Sequence, residues 1–163
     1  MTQQAPDLIQ VDGREYVILN WLGDTSCIPD NETLGFETSM QSTANWSGRI
    51  DHYGVWGGEL YLFKIDVTLE DPDNTPTPSE ARREVLFRYE PLTDAEGRSI
   101  VREYRHDFFA YEDLKLPFTG RIILARSDDP WARPQAAPDE YSEAAFALEL
   151  CNGVVEDFYE LND

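Results

Sequence analysis

Two runs rich in aromatic and β-branched residues meet at Gly57-Gly58, and this junction limits what the chain can fold into more than any other stretch. A residue pair without Cβ atoms can take the positive φ angles of a two-residue hairpin, so the flanking runs read as paired strands. Trp46, Ile50, Tyr53, Val55 and Trp56 precede the turn; Leu60, Tyr61, Leu62, Phe63, Ile65 and Val67 follow it. Strict alternation puts Leu60, Leu62 and Lys64 on one face and Tyr61, Phe63, Ile65 and Val67 on the other. The second set is expected to face the core.

Asn152-Gly153, between AAFALELC and VVEDFYEL, predicts a second hairpin near the end of the sequence. A two-residue turn there pairs Leu150 with Val155 and also sets Glu149 against Glu156, unless a bulge shifts the register. Residues 14–22, REYVILNWL, form a nearly continuous apolar run expected to be a strand buried on both faces. Residues 23–42 read as a loop with a short helix or strand about 33–40, and 70–80, with three prolines and no apolar side chain, as an exposed, mobile excursion. A helical turn after Ser79 leads into a strand through Val85, Phe87 and Tyr89. Residues 98–111 fit a helix through Ile100, Tyr104, Phe108 and Tyr111 as well as they fit a strand. Residues 117–127 return to strand character, and a Pro-rich loop, DDPWARPQAAPDE, follows. No fixed-period repeat or heptad occurs. The expectation is one mainly β domain over residues 1–163, an antiparallel sandwich or open barrel built of hairpins, with at most one or two short helices.

A chain of 163 residues can bury a core without metals or disulfides. The opening residues carry no basic cluster or apolar run, and nowhere do eighteen apolar residues follow one another, so neither a signal peptide nor a membrane span is expected and the protein reads as cytoplasmic. The sequons at Asn31 and Asn45 carry no weight there. The net charge of −19 is uneven: residues 1–45 and 46–81 are strongly acidic, 82–133 balance, and 134–163 hold acids and no base. Such a field repels nucleic acid and anionic membrane and favours a basic protein partner. It equally suits solubility alone, and eleven arginines against two lysines point to a GC-rich genome.

The candidate chemistry is sparse. His52 and His106, each beside an aspartate (Asp51, Asp107), would need to meet across strands to hold zinc or iron, and neighbouring strand residues point to opposite faces, so neither dipeptide is an acid–base pair. Cys27 and Cys151 lack CxxC or CxH spacing and read as reduced thiols. The segment from Asp71 starts like a calcium loop but has Pro76 where glycine is required and Arg82 where a bidentate glutamate belongs. Glu112-Asp113 and Asp128-Asp129 read as solvated turns. Arg82, Arg83, Arg88, Arg98, Arg102 and Arg105, interleaved with aromatics, resemble a single-strand nucleic-acid surface, but equal numbers of acids favour local ion pairs. Trp21, Trp46, Trp56 and Trp131 suit core or rim packing more than a ligand groove. No catalytic, cofactor or metal residue is assigned.

The pattern Thr43-Ala44-x-Trp46-x-Gly48, then Trp56 and Glu59-Leu60-Tyr61-Leu62, resembles a group of uncharacterised bacterial all-β proteins in which a T-A-x-W-x-G-Y stretch precedes an L-Y-L strand. Leu116-Pro117-Phe118-Thr119-Gly120-Arg121-Ile122 is similar to that group's later x-G-x-L segment, and Arg49 stands where an aromatic would be expected. The resemblance covers about a third of the chain. It implies a β fold and, because some members accompany toxin and immunity systems, a binding role, with no catalytic residues to carry over. The expected function is therefore an interaction module for a basic protein, immunity- or inhibitor-like. Two other classes stay open: a small hydrolase or ligand-binding protein with a site of His52, His106 and carboxylates, and a nucleic-acid mimic.

Overall fold

The computed structural model describes residues 7–36, 49–126 and 145–161. Trp46, Trp131, Asp128-Asp129, the Pro-rich loop and residues 37–40 lie outside them. The strands are β1 (Leu8–Val11), β2 (Arg14–Gly23), β3 (Arg49–Trp56), β4 (Glu59–Val67), β5 (Ala81–Thr93), β6 (Ser99–Tyr111), β7 (Gly120–Arg126), β8 (Ala145–Cys151) and β9 (Val154–Glu160), with two short helical turns among the described residues, α1 (Asn31–Leu34) and a 3-10 turn at Pro72–Asn74. The protein is mainly β, as the hairpin signals predict.

Three of its connections share one device. Asp12-Gly13, Gly57-Gly58 and Asn152-Gly153 each place two successive residues at positive φ, the geometry whose twist matches paired strands. The first of these turns, an Asp-Gly pair, is not among the expected elements because β1 has only four residues. Among the described residues β1 supplies the one departure from an antiparallel sheet: it pairs antiparallel to β2 and parallel to β3.

The sheet runs β3-β1-β2-β7-β8-β9-β4-β6-β5, and β3 also pairs with β4. Seven strands therefore close into a ring, and β5 and β6 leave it as a long hairpin. β4 is the branch point. One edge follows β3 along its whole length. The other meets Val154 of β9 at Glu59, then Lys115 at Tyr61, then Asp107–Ala110 of β6 at Lys64–Val67. The β9–β4 seam is narrow, secured by Leu60 N–H to the Gly153 carbonyl (2.9 Å) and Val155 N–H to the Gly58 carbonyl (2.8 Å).

The core fills the ring with Ile9, Tyr16, Ile18, Tyr53, Leu60, Leu62, Ile65, Phe109, Phe118, Ile122, Leu124 and Leu148. Trp21 stands edge-on to Tyr53 and Phe118, at 5.2 and 5.0 Å. The expected core face of β4 needs correction. Leu60 and Leu62 are buried together with Ile65 and Val67, because the register shifts where Tyr53 opposes Leu62 and His52 opposes Lys64. Phe63 is the extra residue of a bulge, and inserting one residue into a period-two pattern exchanges the faces beyond it. β2 is buried on both faces only at Tyr16–Ile18; Leu22 is exposed. Residues 98–111 are strand, and the helical turn expected after Ser79 reduces to one hydrogen bond, Ala81 N–H to the Pro78 carbonyl, before β5 runs extended. In β9 the bulge falls at Glu156, so Glu149 faces Asp157, and Arg121 Nη2 lies 3.6 Å from Glu149.

Candidate functional site

At the end of the barrel where β3 begins, alternation sends Arg49, Asp51 and Tyr53 to the same, inner face. Arg49 Nε donates to Asp51 Oδ1 (2.6 Å) and Nη2 to Oδ2 (3.0 Å), a two-point fork that suits the planar guanidinium. Its Nη1 donates to Asn31 Oδ1 (3.0 Å), which ties the first residue of α1 to the barrel. Tyr53 OH donates to Asp51 Oδ2 (2.8 Å), and the Asp51 N–H donates to Asp7 Oδ1 (2.8 Å). Burial, reinforced by the Asp51 charge, pushes the Asp7 carboxyl up to about 7, against the pull of its hydrogen bond and of Arg49. Burial and the same carboxylates raise the Tyr53 phenol above its ordinary range, so it stays a donor. The network sets the Arg49–Asp51 ion pair beside a carboxyl, Asp7, whose affinity for a proton burial has raised.

Above it lies an open groove of about 1030 Å³ between α1 and the segment after β4, lined by Asn31, Glu32, Phe36, Glu70, Asp71 and Thr75 among others. Asp30 caps α1 by accepting from the Thr33 N–H (2.8 Å). Phe36 stacks on Phe109 (5.4 Å between centroids), and the Arg83 guanidinium lies 5.6 Å from the Phe109 centroid. Arg83 also donates to the Thr75 carbonyl (2.7 Å), the Pro72 carbonyl (2.8 Å) and the buried Asp107 carboxylate (3.1 Å). The proline-rich excursion is thus exposed but pinned at Pro72–Thr75, a correction to its expected mobility that follows from backbone carbonyls composition cannot reveal. Three carboxylates, Glu32, Glu70 and Asp71, line the groove; a cationic side chain is the chemistry it would accept.

The β5–β6 hairpin leaves the barrel at this same end. Beyond the Val67–Asp107 pair, among the described residues β6 pairs only with β5, and β5 only with β6. Its base is clamped by Arg83 and Arg105, which both reach Asp107, with Arg105 also 3.3 Å from Asp73. At its tip Asp94 accepts from the Glu96 and Arg98 N–H groups. Of the nine large hydrophobic side chains exposed among the described residues, six belong to this hairpin: Val85, Leu86, Phe87, Tyr89, Ile100 and Val101.

The two histidines do not meet. β4 lies between their strands, and His52 aligns with Ala110 through Lys64, four residues from His106. Strand spacing and rise put the Cα atoms roughly 16 Å apart. His106 Nδ1 lies 3.2 Å from Asp66 Oδ1, whereas Asp107 faces the arginines; Asp51 points inward and His52 outward. Burial, and then Lys64, depress His52 to about 4. Among the described residues no three His, Cys, Asp or Glu side chains gather as a metal site. Cys27 is half-buried, its thiol pushed up by burial, and Cys151 is exposed. The arginines form local pairs as the balance of charge implies: Arg82–Glu84 (3.7 Å), and Arg98 with Asp94 (3.0 Å) and Glu96 (3.1 Å). Trp21 packs on the core, and Trp56 lies over Gly54 beside Tyr61 and Phe63.

Sequence reasoning assigned nothing to Asp7, Arg49 or Asp51. The available signal was the alternation of Arg49, Asp51 and Tyr53, three polar groups set to share a face. Comparison with protein-family models, with curated proteins and with solved structures returned no match for this chain.

Proposed function

We propose that this protein is an interaction module whose acidic barrel engages a basic protein, with a lysine or arginine of that partner seated in the groove between α1 and residues 70–76. The observation that supports this reading is the partition of charge. Residues 81–111 hold six arginines and six acids, leaving seven bases against twenty-six acids elsewhere, so the whole net charge of −19 belongs to the remainder of the chain. A field of that size accelerates encounter with a basic surface and weakens steeply with salt. The carboxylates of Glu32, Glu70 and Asp71 line one opening together with the ring of Phe36, which suits an alkyl stem carrying a positive head. An immunity- or inhibitor-like role is the form this takes if the bound protein is a toxin.

The test is affinity capture from a lysate of the source cells at low and at half-molar salt. A stoichiometric basic protein retained at low salt and released at high salt is expected, with the triple variant Glu32→Gln, Glu70→Gln, Asp71→Asn losing about tenfold in affinity, or ~1.4 kcal/mol. Capture of no basic protein, or capture that ignores both salt and the variant, refutes the proposal.

A further inference from the structure

α1 is a single turn, far below the roughly twelve residues at which a helix sustains itself in water, so its attachments to the barrel hold it in place. Two of these are apolar: Leu34 packs against the core, and Phe36 stacks on Phe109. The third is the bond from Arg49 Nη1 to Asn31 Oδ1 (3.0 Å), and its donor is shared. Arg49 gives Nε and Nη2 to the two oxygens of Asp51, and the Asp51 N–H reaches Asp7 Oδ1 at 2.8 Å, so one guanidinium serves a cluster of two carboxyl groups and one neutral amide. Among the described residues, the ionisable groups around Asp7 are Asp51, Arg49 and Tyr53 of β3, with Asp30 at the α1 cap and Tyr111 of β6 in the field of Arg49. β2, whose Ile18 N–H donates to the Asp7 carbonyl, brings Val17, Ile18 and Leu19, none of them titratable. His52 stands on the outer face, beside Phe63, and feels Asp51.

We infer that Arg49 is a proton-controlled tether for α1: while the Asp7 carboxyl is neutral the guanidinium holds Asn31, and when Asp7 ionises Nη1 is drawn from Asn31 toward the second carboxylate. The ranking of acceptors is the reason. A hydrogen bond to a carboxylate is roughly twice as strong as one to a neutral amide oxygen, and in a water-poor cluster the added attraction is little screened. Asp51 keeps its two-point fork in either state, so the exchange falls on Nη1, whose acceptor on α1 is uncharged. Burial and the Asp51 charge set the Asp7 midpoint at about 7, whereas Asp30, lowered by its cap bonds, and His52, lowered by burial to about 4, have finished titrating well below it. The sign agrees. The folded chain holds the Asp7 proton more tightly than the unfolded chain, so ionisation weakens some contact of the fold, and the bond to α1 is one that can yield without opening the barrel core. α1 carries Asn31 and Glu32, and Gly35 and Phe36 follow it directly; together they form one wall of the groove. Control of partner binding through that wall rests on the reading of the groove as a binding site; the movement of α1 does not.

Amide NMR on the full chain between about pH 5.5 and 8.5, a window above the ordinary carboxylate midpoints, tests this. No partner is present, so the tether can fail where the groove binds, and hold where it does not. The reporters are the Gly35 and Phe36 N–H groups, which close the α1 turn on the Asn31 carbonyl. Both are expected to titrate with a midpoint near 7, and their order parameters to fall from roughly 0.85, a rigid backbone, toward about 0.6 above it. In Asp7→Asn, a neutral isostere, both amides keep their low-pH positions throughout. In Asn31→Ala, which removes the acceptor on α1 and leaves Asp7 in place, they sit at the released positions at every pH. Gly97, in the turn of the β5–β6 hairpin, stays fixed in all three proteins. α1 amides that do not titrate in this window, that titrate unchanged in Asp7→Asn or in Asn31→Ala, or that move together with Gly97 overturn the inference.

Discussion

The barrel and the arm are made of the same kind of strand and held by the same kinds of interaction, yet those interactions carry different weight in the two places. In the barrel, Arg49 and Asp51 pair with side-chain exposures of 12% and 7%. In the arm, Arg98 pairs with Asp94 while its own side chain is 73% exposed. Distances are similar; surroundings are not. A contact at the barrel's end is costly to break because water cannot replace it, and one at the arm's tip is replaced by water at once. The arm can therefore vary without unfolding the body that carries it.

The sharpest way to break this comparison is to remove one partner from each pair. Asp51→Ala takes the carboxylate away from the buried Arg49 guanidinium and the acceptor away from the Tyr53 hydroxyl. The expected loss is about 4 kcal/mol in urea or guanidinium unfolding. Arg98→Ala should cost at most about 0.5 kcal/mol in the same measurement. Equal losses would mean that the barrel's end is wetter than its packing implies.

Two glycines sharpen the contrast with backbone alone. Gly97 at the arm's turn and Gly153 at the barrel seam have nearly the same φ, +81° and +82°. An added Cβ at Gly97 meets nothing within 4 Å, but at Gly153 it would fall 2.4 Å from the Leu116 carbonyl oxygen. Gly153 also donates to the Phe118 carbonyl and accepts from Leu60, so any shift there loosens the closure between β9 and β4. Gly97→Ala is expected to cost about 1 kcal/mol, the left-handed penalty alone. Gly153→Ala should cost about 3 kcal/mol, clash added, as read from denaturation midpoints. Matching values would show that the seam yields.

How much of this was legible in the sequence follows from the range of each interaction. Turns are local, so Gly57-Gly58 and Asn152-Gly153 revealed their hairpins; Asp12-Gly13 is an equally strong signal that the brevity of β1 hid. Bulges are not local. Nothing in LYLFKID marks Phe63 as the extra residue, since the shift is set by how β3 and β4 pair across the barrel; the core face expected at Ile65 and Val67 holds, and the one before the bulge reverses to Leu60 and Leu62. Residues 98–111 carried a helical spacing and β-propensity together, and the partner strand β5 decided for the strand. The groove was illegible because its walls come from α1 and from residues 70–76, joined by Arg83 to backbone carbonyls. The network at Asp7 shows the same limit: a carboxyl beside an ordinary Leu-Ile stretch becomes unusual only when Asp51 is folded against it.

The smallest effect separates inside from outside within the barrel wall itself. Asp7 lies on one side of Asp51 and His52 follows it in sequence, and burial shifts both in the direction of their neutral forms. Asp7 rises from 3.8 to about 7, so the folded state holds its proton where the unfolded chain has released it. That contribution is complete below pH 3.8 and is lost as pH rises through 7. His52 falls from 6.5 to about 4, so its contribution is complete above pH 6.5 and is lost as pH falls through 4. Between about pH 4 and 6.5 the two slopes oppose each other, and the wild-type stability is expected to be nearly flat across that window. Single variants separate them. Asp7→Asn, which keeps an acceptor for the Asp51 N–H, leaves the His52 slope, and stability rises with pH by about 1–2 kcal/mol across the window. His52→Gln leaves the Asp7 slope, and stability falls by a similar ~1–2 kcal/mol. Denaturant midpoints at pH steps through the window read both signs directly. Two variants that slope the same way would mean that Asp7 ionises in the folded barrel as it does in water, and that the end of the barrel differs from the arm in packing but not in dielectric.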